Sequence, residues 1–334
     1  MTDRESARQA LLQRAGWGGA SAAFLAGDAS DRTYDRLTRG AQTAVLMDAP
    51  PGKGDDPAAF LAVAAHLSAL GLSAPQPIAQ DMAQGFLLLE DFGSAVYARL
   101  LDTEPDREAA LYAVAIDALV CLQSASPMPG LPALSPLEWA GAAALILRHY
   151  AAVKTDRPPD DQTFVDCLSA LIAQVDHGNP VMILRDFHAE NLIWLSDRRG
   201  VAKAGLLDFQ LAQMGHPVYD VISLLQDARR DVGAQTVLMM QRRFCGAMGM
   251  TTADFSMAAA VWGAQRALRI MGVFARLAQN AGKTAYLRLM PRVWGHLQAS
   301  LAHPVLADLQ QICAPLLPPP TPGFLQKVAQ HGKT

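Results

Sequence analysis

The sequence predicts an α+β chain in two lobes: a small mixed β-sheet lobe with its hinge over residues 1–92, and a large, mainly helical lobe over 93–334. Three observations support this. The first ninety residues alternate helix-like and strand-like stretches, and from Ala109 onward apolar residues recur at helical spacing. Within that helical half, 181–220 breaks into short apolar strands separated by polar knots. With 334 residues, 51% hydrophobic and 18% charged, the chain is long and apolar enough for two packed cores without disulfide or metal staples.

In chain order, a polar helix is expected over Asp3–Arg14, strands at Thr33–Leu37 and Ala44–Met47, and a helix over Pro57–Leu70 closed by Gly71. A further strand, Gly85–Leu89, runs into the acidic pair Glu90-Asp91 and then Phe92-Gly93, which reads as an interlobe hinge. Helices follow over Glu108–Gln123, Pro136–Val153 and Thr163–Val175, separated by Pro- and Gly-rich breaks. Strands are expected at Val181–Leu184, Leu192–Leu195 and Ala204–Leu207, after which helices, including Trp262–Ala278 and Thr284–Leu301, resume to about His303. The run PLLPPPTPGF is dense enough in proline to be extended.

Composition excludes several function classes. A formal charge of −3 with scattered Lys and Arg offers no basic stripe for nucleic acid. Cys121, Cys167, Cys245 and Cys313 stand dozens of residues apart without metal-ligand spacing, and read as reduced thiols of a cytoplasmic protein. The charged N-terminus lacks the apolar core of a signal peptide. The longest apolar run, Trp139–Leu147, is well short of the roughly 20 residues that span a bilayer, so no membrane anchor is expected.

The chemistry concentrates in VMILRDFHAENLIWL and AGLLDFQLAQMGHPVYD. Asp186 precedes Asn191 by five positions, and Asp208 ends an apolar strand twenty-two residues after Asp186. Phosphoryl transfer asks little covalent chemistry of a protein: one carboxylate to accept the proton of the attacking hydroxyl, and oxygen donors to hold Mg²⁺. Asp186, Asn191 and Asp208 supply those groups in that order. Alone, the D-x4-N pair is equally a surface turn with an Asx cap. Followed by Asp208-Phe209 and by Gly215–Asp220, it reads as a phosphotransferase site.

On these residues the chain resembles the aminoglycoside phosphotransferase and choline kinase-like family, which has the bilobal protein kinase-like fold. That family carries H-G-D-x-x-x-x-N, a strand ending I-D-F or I-D-W, and G-x-P-x-x-D; here stand L-R-D-F-H-A-E-N (184–191), L-D-F (207–209) and G-H-P-V-Y-D (215–220). The resemblance implies that Asp186 is the catalytic base, that Asn191 and Asp208 bind Mg²⁺, that ATP is the donor, and that Asp220 braces the catalytic loop from a helix start. Arg185 occupies a position that protein kinases also fill with Arg, and Leu184 replaces the family His.

The first lobe departs from the kinase template. Where a strand lysine would meet the phosphates stands Met47, and the following helix holds no Glu. Ser30, Asp31 and Arg32 lie where a phosphate-covering hairpin would be, although an ordinary polar turn explains them equally. G-D-A-S-x-R-x-Y, V-L-M-D-A-P-P and G-F-L-L-L-E-D-F-G together look like a subgroup, the anomeric sugar kinases acting on N-acetylmuramate and N-acetylglucosamine in cell-wall recycling. There too the strand Lys is replaced, so Met47 becomes an expected feature. Glu90 and Asp91 would meet adenine through their backbone. Asp48 would sit near the cleft or face solvent. His188 and His216 are substrate-contact candidates against a structural role; Arg266 and Arg269 share a helix face, compatible with an anionic acceptor or with solvated ion pairs. Arg185 is expected to neutralise a carboxylate or the phosphate region, and Trp194, Trp262 and Trp294 to lie in the core.

The expected function is an ATP- and Mg²⁺-dependent kinase for a small-molecule hydroxyl acceptor. The resemblance favours the anomeric hydroxyl of an amino sugar. Open alternatives are another acceptor (an aminoglycoside, a choline-like alcohol, a different sugar), a nucleotide-binding scaffold without turnover, and a metal-dependent hydrolase.

Overall fold

The computed structural model describes residues 3–27, 32–53, 56–155, 159–176, 178 and 180–331. Contacts divide the chain into two compact units, 1–128 with 189–212, and 129–188 with 213–334. This cut differs from the lobe boundary at 92/93 because helices after residue 92 pack with the inserted segment 189–212.

In chain order the first part is α1 (Asp3–Arg14), β1 (Ser21–Gly27), β2 (Thr33–Arg39), β3 (Gln42–Asp48), α2 (Pro57–Ala69), β4 (Pro77–Asp81), β5 (Phe86–Glu90), α3 (Tyr97–Thr103) and α4 (Glu108–Ser124). There follow α5 (Pro136–Ala143), α6 (Ala152–Thr155), α7 (Gln162–Val175), β6 (Val181–Ile183), β7 (Leu192–Trp194), β8 (Ala204–Leu206) and β9 (Gln213–Gly215). The chain continues through α8 (Val218–Leu225), α9 (Ala234–Met248), α10 (Thr252–Ala281), α11 (Met290–Leu301), α12 (Ala307–Leu316) and α13 (Pro322–Gln330).

In the first unit the sheet runs β1-β2-β3-β5-β4. It is antiparallel at every pairing. Leu11 and Leu12 of α1, with Trp17, close a core against Leu37, Ala44, Leu46, Phe86 and Leu88, so α1 covers one sheet face. Asp56 caps α2 by accepting the Ala58 N–H. At its other end Gly71 takes φ +77° and the Leu72 N–H returns to Leu67, a helix stop that a Cβ would strain. Strands β1 and β4, absent from the sequence reading, are the two opposite edge strands, with little burial and no clean apolar alternation.

In the second unit α10, capped by Thr251 and by Gly282 in the left-handed conformation, carries the core. Trp262 lies 1% exposed, with Trp139 and Tyr219 at 5.2 and 5.6 Å and the His216 ring stacked at 6.1 Å. The expected continuous helix 136–153 is interrupted: α5 ends at Ala143 and 147–151 forms a π-helix before α6. There α10 comes so close that a Cβ on Gly272 would lie 2.5 Å from the Ile146 nitrogen. Residues 284–289 form a 3₁₀ turn ahead of α11. The proline-rich run is extended only over 317–321; Pro315 lies inside α12, and Pro322 starts α13, where its missing N–H costs nothing. Among the described residues no helix is long and apolar enough to cross a membrane.

Two predictions follow from this packing. Gly272→Ala overpacks the α10 crossing against backbone, and we expect a loss of about 1–3 kcal/mol by denaturant unfolding; an unchanged midpoint would remove close approach as the reason for glycine. His216 is neutral in the fold: burial pushes its pKa down to about 4 from 6.5, and its Nδ1 accepts the Val218 N–H at 3.2 Å. A depressed histidine stabilises above its unfolded pKa and loses that contribution as pH falls through 6.5 toward 4. The stability difference between wild type and His216→Gln should therefore shrink by about 2 kcal/mol between neutral pH and pH ~5, at about 1.4 kcal/mol per unit. A difference independent of pH would contradict this.

Candidate active site

The first unit brings Asn191, Asp208 and Arg32 together. Strands β7 and β8 pair antiparallel with Leu192 opposite Leu206, so Asn191 and Asp208, far apart in sequence, arrive at one end of a hairpin. The Leu207 N–H donates to the Asn191 carbonyl at 3.0 Å and locks that register. The hairpin is tied down by Leu206 N–H to the Ser73 carbonyl (2.8 Å), Ser73 Oγ to the Ala202 carbonyl (2.6 Å) and Trp194 N–H to the Ala95 carbonyl (2.8 Å). Gly205 lies under the Phe92 ring, which a Cβ would approach to 2.8 Å.

Asp208 adopts φ +56°, the left-handed region that Asp tolerates better than most residues. That turn sends Phe209 inward to stack on Phe60 at 4.9 Å while the Asp208 carboxylate stays partly exposed. Gln210 Nε2 donates to Asp208 Oδ1 at 2.8 Å, and the guanidinium of Arg32, itself 5% exposed, lies 3.6 Å from the same oxygen. The proposed phosphate-covering cation and the proposed metal carboxylate are thus neighbours. Ser30 and Asp31 lie outside the described residues.

Met47 is fully buried, opposite Tyr34 on β2 and Leu87 on β5, and acts as core. Asp48 is ion-paired to Arg4 of α1, whose Nε donates to Oδ1 at 2.9 Å, so its carboxylate is committed to holding α1. Glu90 pairs with Arg198 at 2.5 Å, and that guanidinium lies over Phe92 at 4.9 Å. Asp91 is paired with Arg36 (Nε to Oδ2, 2.8 Å) and accepts the Gly93 N–H. Burial pushes the Asp91 carboxyl up, but Arg36, the Gly93 amide and Thr43 outweigh it and hold the pKa below 3.8. Both side chains are therefore held in ion pairs within the first unit. Trp194, expected in the core, is instead half-buried between Arg107 (5.4 Å) and Lys203 (5.1 Å).

The second unit holds the candidate base. Asp186 is half-buried, and its N–H donates to the Leu184 carbonyl at 2.9 Å across Arg185, which takes φ +72°. This is the strained form of the γ-turn, which persists only where surroundings enforce it. Asp220, wholly buried on α8, does so: Oδ2 accepts the Leu184 N–H at 2.6 Å and Oδ1 the Arg185 N–H at 2.9 Å. Burial pushes the Asp220 carboxyl up to about 7, against the two amides and Arg266, which pull it down.

Arg266, also buried, donates from Nη2 to Ser223 Oγ at 2.8 Å. Arg269, one turn along α10, is influenced most by Tyr219, then by burial and Asp186, with a net raised pKa. His188 is buried and held neutral: burial foremost, then Arg229, pushes its pKa down to about 3, and Arg229 Nη1 lies 3.4 Å from Nε2. His216 is part of the Trp262 cluster, a structural position. The sequence reading missed Ser223 and Gln210. Ser223 was detectable as a lone hydroxyl in the apolar helix VYDVISLL; Gln210 offered no signal beyond following Asp208-Phe209.

The donor set fits a hard divalent cation. Asn191 and Asp208 offer oxygen ligands of the kind Mg²⁺ would take, with phosphate oxygens and water left to fill the rest of its shell, and among the described residues no cluster of three or more His, Cys, Asp or Glu points to a softer metal.

Comparison with known proteins agrees with this chemistry. Residues 21–255 match the model of the phosphotransferase enzyme family. The N-acetylmuramate/N-acetylglucosamine kinase of Caulobacter vibrioides is 35% identical, with 92% of this chain and 95% of that protein covered. The protein of the same name from Pseudomonas aeruginosa is 32% identical over 92% of each. Among solved structures, a choline/ethanolamine kinase family protein from Mesorhizobium loti aligns with a TM-score of 0.63 at 14% identity, covering 98% of this chain and 99% of that one. An aminoglycoside phosphotransferase, APH(4)-Ia, in ternary complex with ADP and hygromycin B aligns with a TM-score of 0.58 at 12% identity, covering 89% and 99%. These distant likenesses establish the protein kinase-like fold. From the family match over most of its length, together with the relatives above 30% identity, the chain belongs to the phosphotransferase enzyme family.

Proposed function

We propose that this enzyme transfers the γ-phosphoryl group of ATP to the anomeric hydroxyl of N-acetylmuramate or N-acetylglucosamine. The observation that carries the reading is the extent of similarity: relatives named N-acetylmuramate/N-acetylglucosamine kinase align with 92% of this chain, so the helical half is included. The retained acid, amide and acid groups and their local geometry support turnover over a scaffold role. We place the reaction in the cytoplasm, where ATP is available.

In this reading Asp186, presented by the Arg185 turn, accepts the proton of the sugar hydroxyl as its oxygen bonds to the γ-phosphorus and the bond to the β-phosphate oxygen breaks. Asn191 and Asp208 hold Mg²⁺, which neutralises charge on the phosphate oxygens when bound. Arg32, already beside Asp208, contributes the cation that kinases usually supply from a strand lysine. Gln210 steadies the Asp208 carboxylate through its hydrogen bond. Glu90 and Asp91 keep the hinge rigid through their arginines, so the adenine edge meets backbone groups.

Two experiments test this. ADP release should be measured with ATP and Mg²⁺ across amino sugars, hexoses, aminoglycosides and choline. We expect turnover with N-acetylmuramate or N-acetylglucosamine, its loss in Asp208→Ala, and a fall in kcat of about 10²–10⁴ in Asp186→Asn. Turnover confined to a different acceptor would discard the sugar assignment, and nucleotide binding without turnover would make the chain a scaffold. Separately, Arg32→Met should raise the KM for ATP by about tenfold or more, with partial recovery in Arg32→Lys, since one charge-assisted contact contributes about 1.5–3 kcal/mol. An unchanged KM would take Arg32 out of the phosphate cradle.

A further inference from the structure

Arg266 sits mid-way along α10, 5% exposed, beside buried Gln265 in a stretch whose other buried side chains are apolar. A guanidinium kept from water needs both counter-charge and hydrogen bonds. Asp186 and Asp227 supply counter-charge. Its hydrogen bond goes to Ser223 Oγ, 2.8 Å from Nη2.

That bond has a direction. Arginine only donates, so Ser223 accepts with a lone pair and keeps its single hydrogen for another partner. The partner is the carbonyl of Arg185, 3.3 Å away. Ser223 follows Asp220 by three residues on α8, so the two side chains share a helix face. They grip one peptide turn from opposite polarities: Asp220 takes the N–H groups of Leu184 and Arg185, and Ser223 holds the Arg185 carbonyl. The gripped residue has φ +72°, which costs a side-chain-bearing residue roughly 1–2 kcal/mol unless held.

We infer that Arg266 and Ser223 form a directed relay, guanidinium to hydroxyl to the Arg185 carbonyl, that locks the carbonyl side of this turn and so sets the direction in which Asp186 is presented. Both are positioning residues; neither touches the reacting atoms. The inference deepens the kinase reading and rests on it for the role of Asp186. It also moves Arg266 from the acceptor-binding candidates to the support of the base.

The test is a double-mutant cycle of Ser223→Ala, Arg266→Met and their combination in the full-length protein. ATP and N-acetylglucosamine turnover would be read together with hydrogen exchange of the peptide covering 184–188. Ser223→Ala removes one oxygen from a packed helix, and we expect kcat to fall about tenfold, the value of one net hydrogen bond, with both KM values within about twofold. The double variant should be no worse than Arg266→Met alone, because both changes cut the same chain. Exchange over 184–188 should accelerate in Ser223→Ala while α8 stays protected. Unchanged kcat and exchange in Ser223→Ala, losses that multiply in the double variant, or a raised acceptor KM at unchanged kcat would each overturn the relay, the last by returning Arg266 to acceptor binding. If Arg266→Met does not fold, Ser223→Ala alone decides. A wild-type protein without turnover would sink the kinase reading, and the exchange measurement would still judge the relay.

Discussion

The second unit is organised around one buried carboxylate. Asp220 has no solvent, and it meets the Leu184 and Arg185 backbone N–H groups, which the sharp turn at Arg185 points toward it. Neither side of that arrangement stands alone. Unpaired, each amide would cost about 1–3 kcal/mol, and an unbonded buried carboxyl at least as much. Together they make the left-handed turn the state of lowest free energy, and the turn places a half-buried carboxylate at residue 186. Trp139, Tyr219 and Trp262 pack around the same helix start, so the aromatic core and the turn rely on one another.

The first unit solves a related problem by register. A two-residue slip between β7 and β8 would carry Asn191 away from Asp208, and the ties to Ser73 and Ala95 oppose it. Phe209, stacked on Phe60, anchors one side of the turn while Asp208 leaves on the other. Left-handed φ values at non-glycine residues occur at Arg185 and Asp208 among the described residues: the first precedes Asp186, and the second is itself a proposed metal carboxylate. Local strain is concentrated where direction matters most.

Much of this was legible in the sequence. The strand-knot-strand pattern of 181–208 is present as β6, β7 and β8, and α1, α2, α4 and α7 appear close to their expected limits because helical periodicity marks them, reinforced in α2 by the Asp56 cap and by Gly71. Other features depend on tertiary contacts. Strands β1 and β4 are held by pairing to their neighbours and carry little periodic signal. The π-helix at 147–151 reflects the approach of α10 at Gly272, which local propensity cannot encode. Proline inside and at the start of α12 and α13 misled a compositional reading, since one first-turn proline is compatible with a helix. Asp48 could by sequence face the cleft or solvent, but Arg4 holds it, and Arg198 and Arg36, equally distant in sequence, hold Glu90 and Asp91.

Met47 fills the core where a lysine would be expected, yet the Asp208 carboxylate does not lack a cation, because Arg32 approaches it from the start of the neighbouring strand. Charge balance is a property of a volume, and a chain can meet it from any strand that borders that volume. A missing lysine in an alignment column therefore does not identify a dead enzyme: inactivity has to be judged from the potential at the carboxylate, and two homologues can keep that potential while sharing none of the residues that create it.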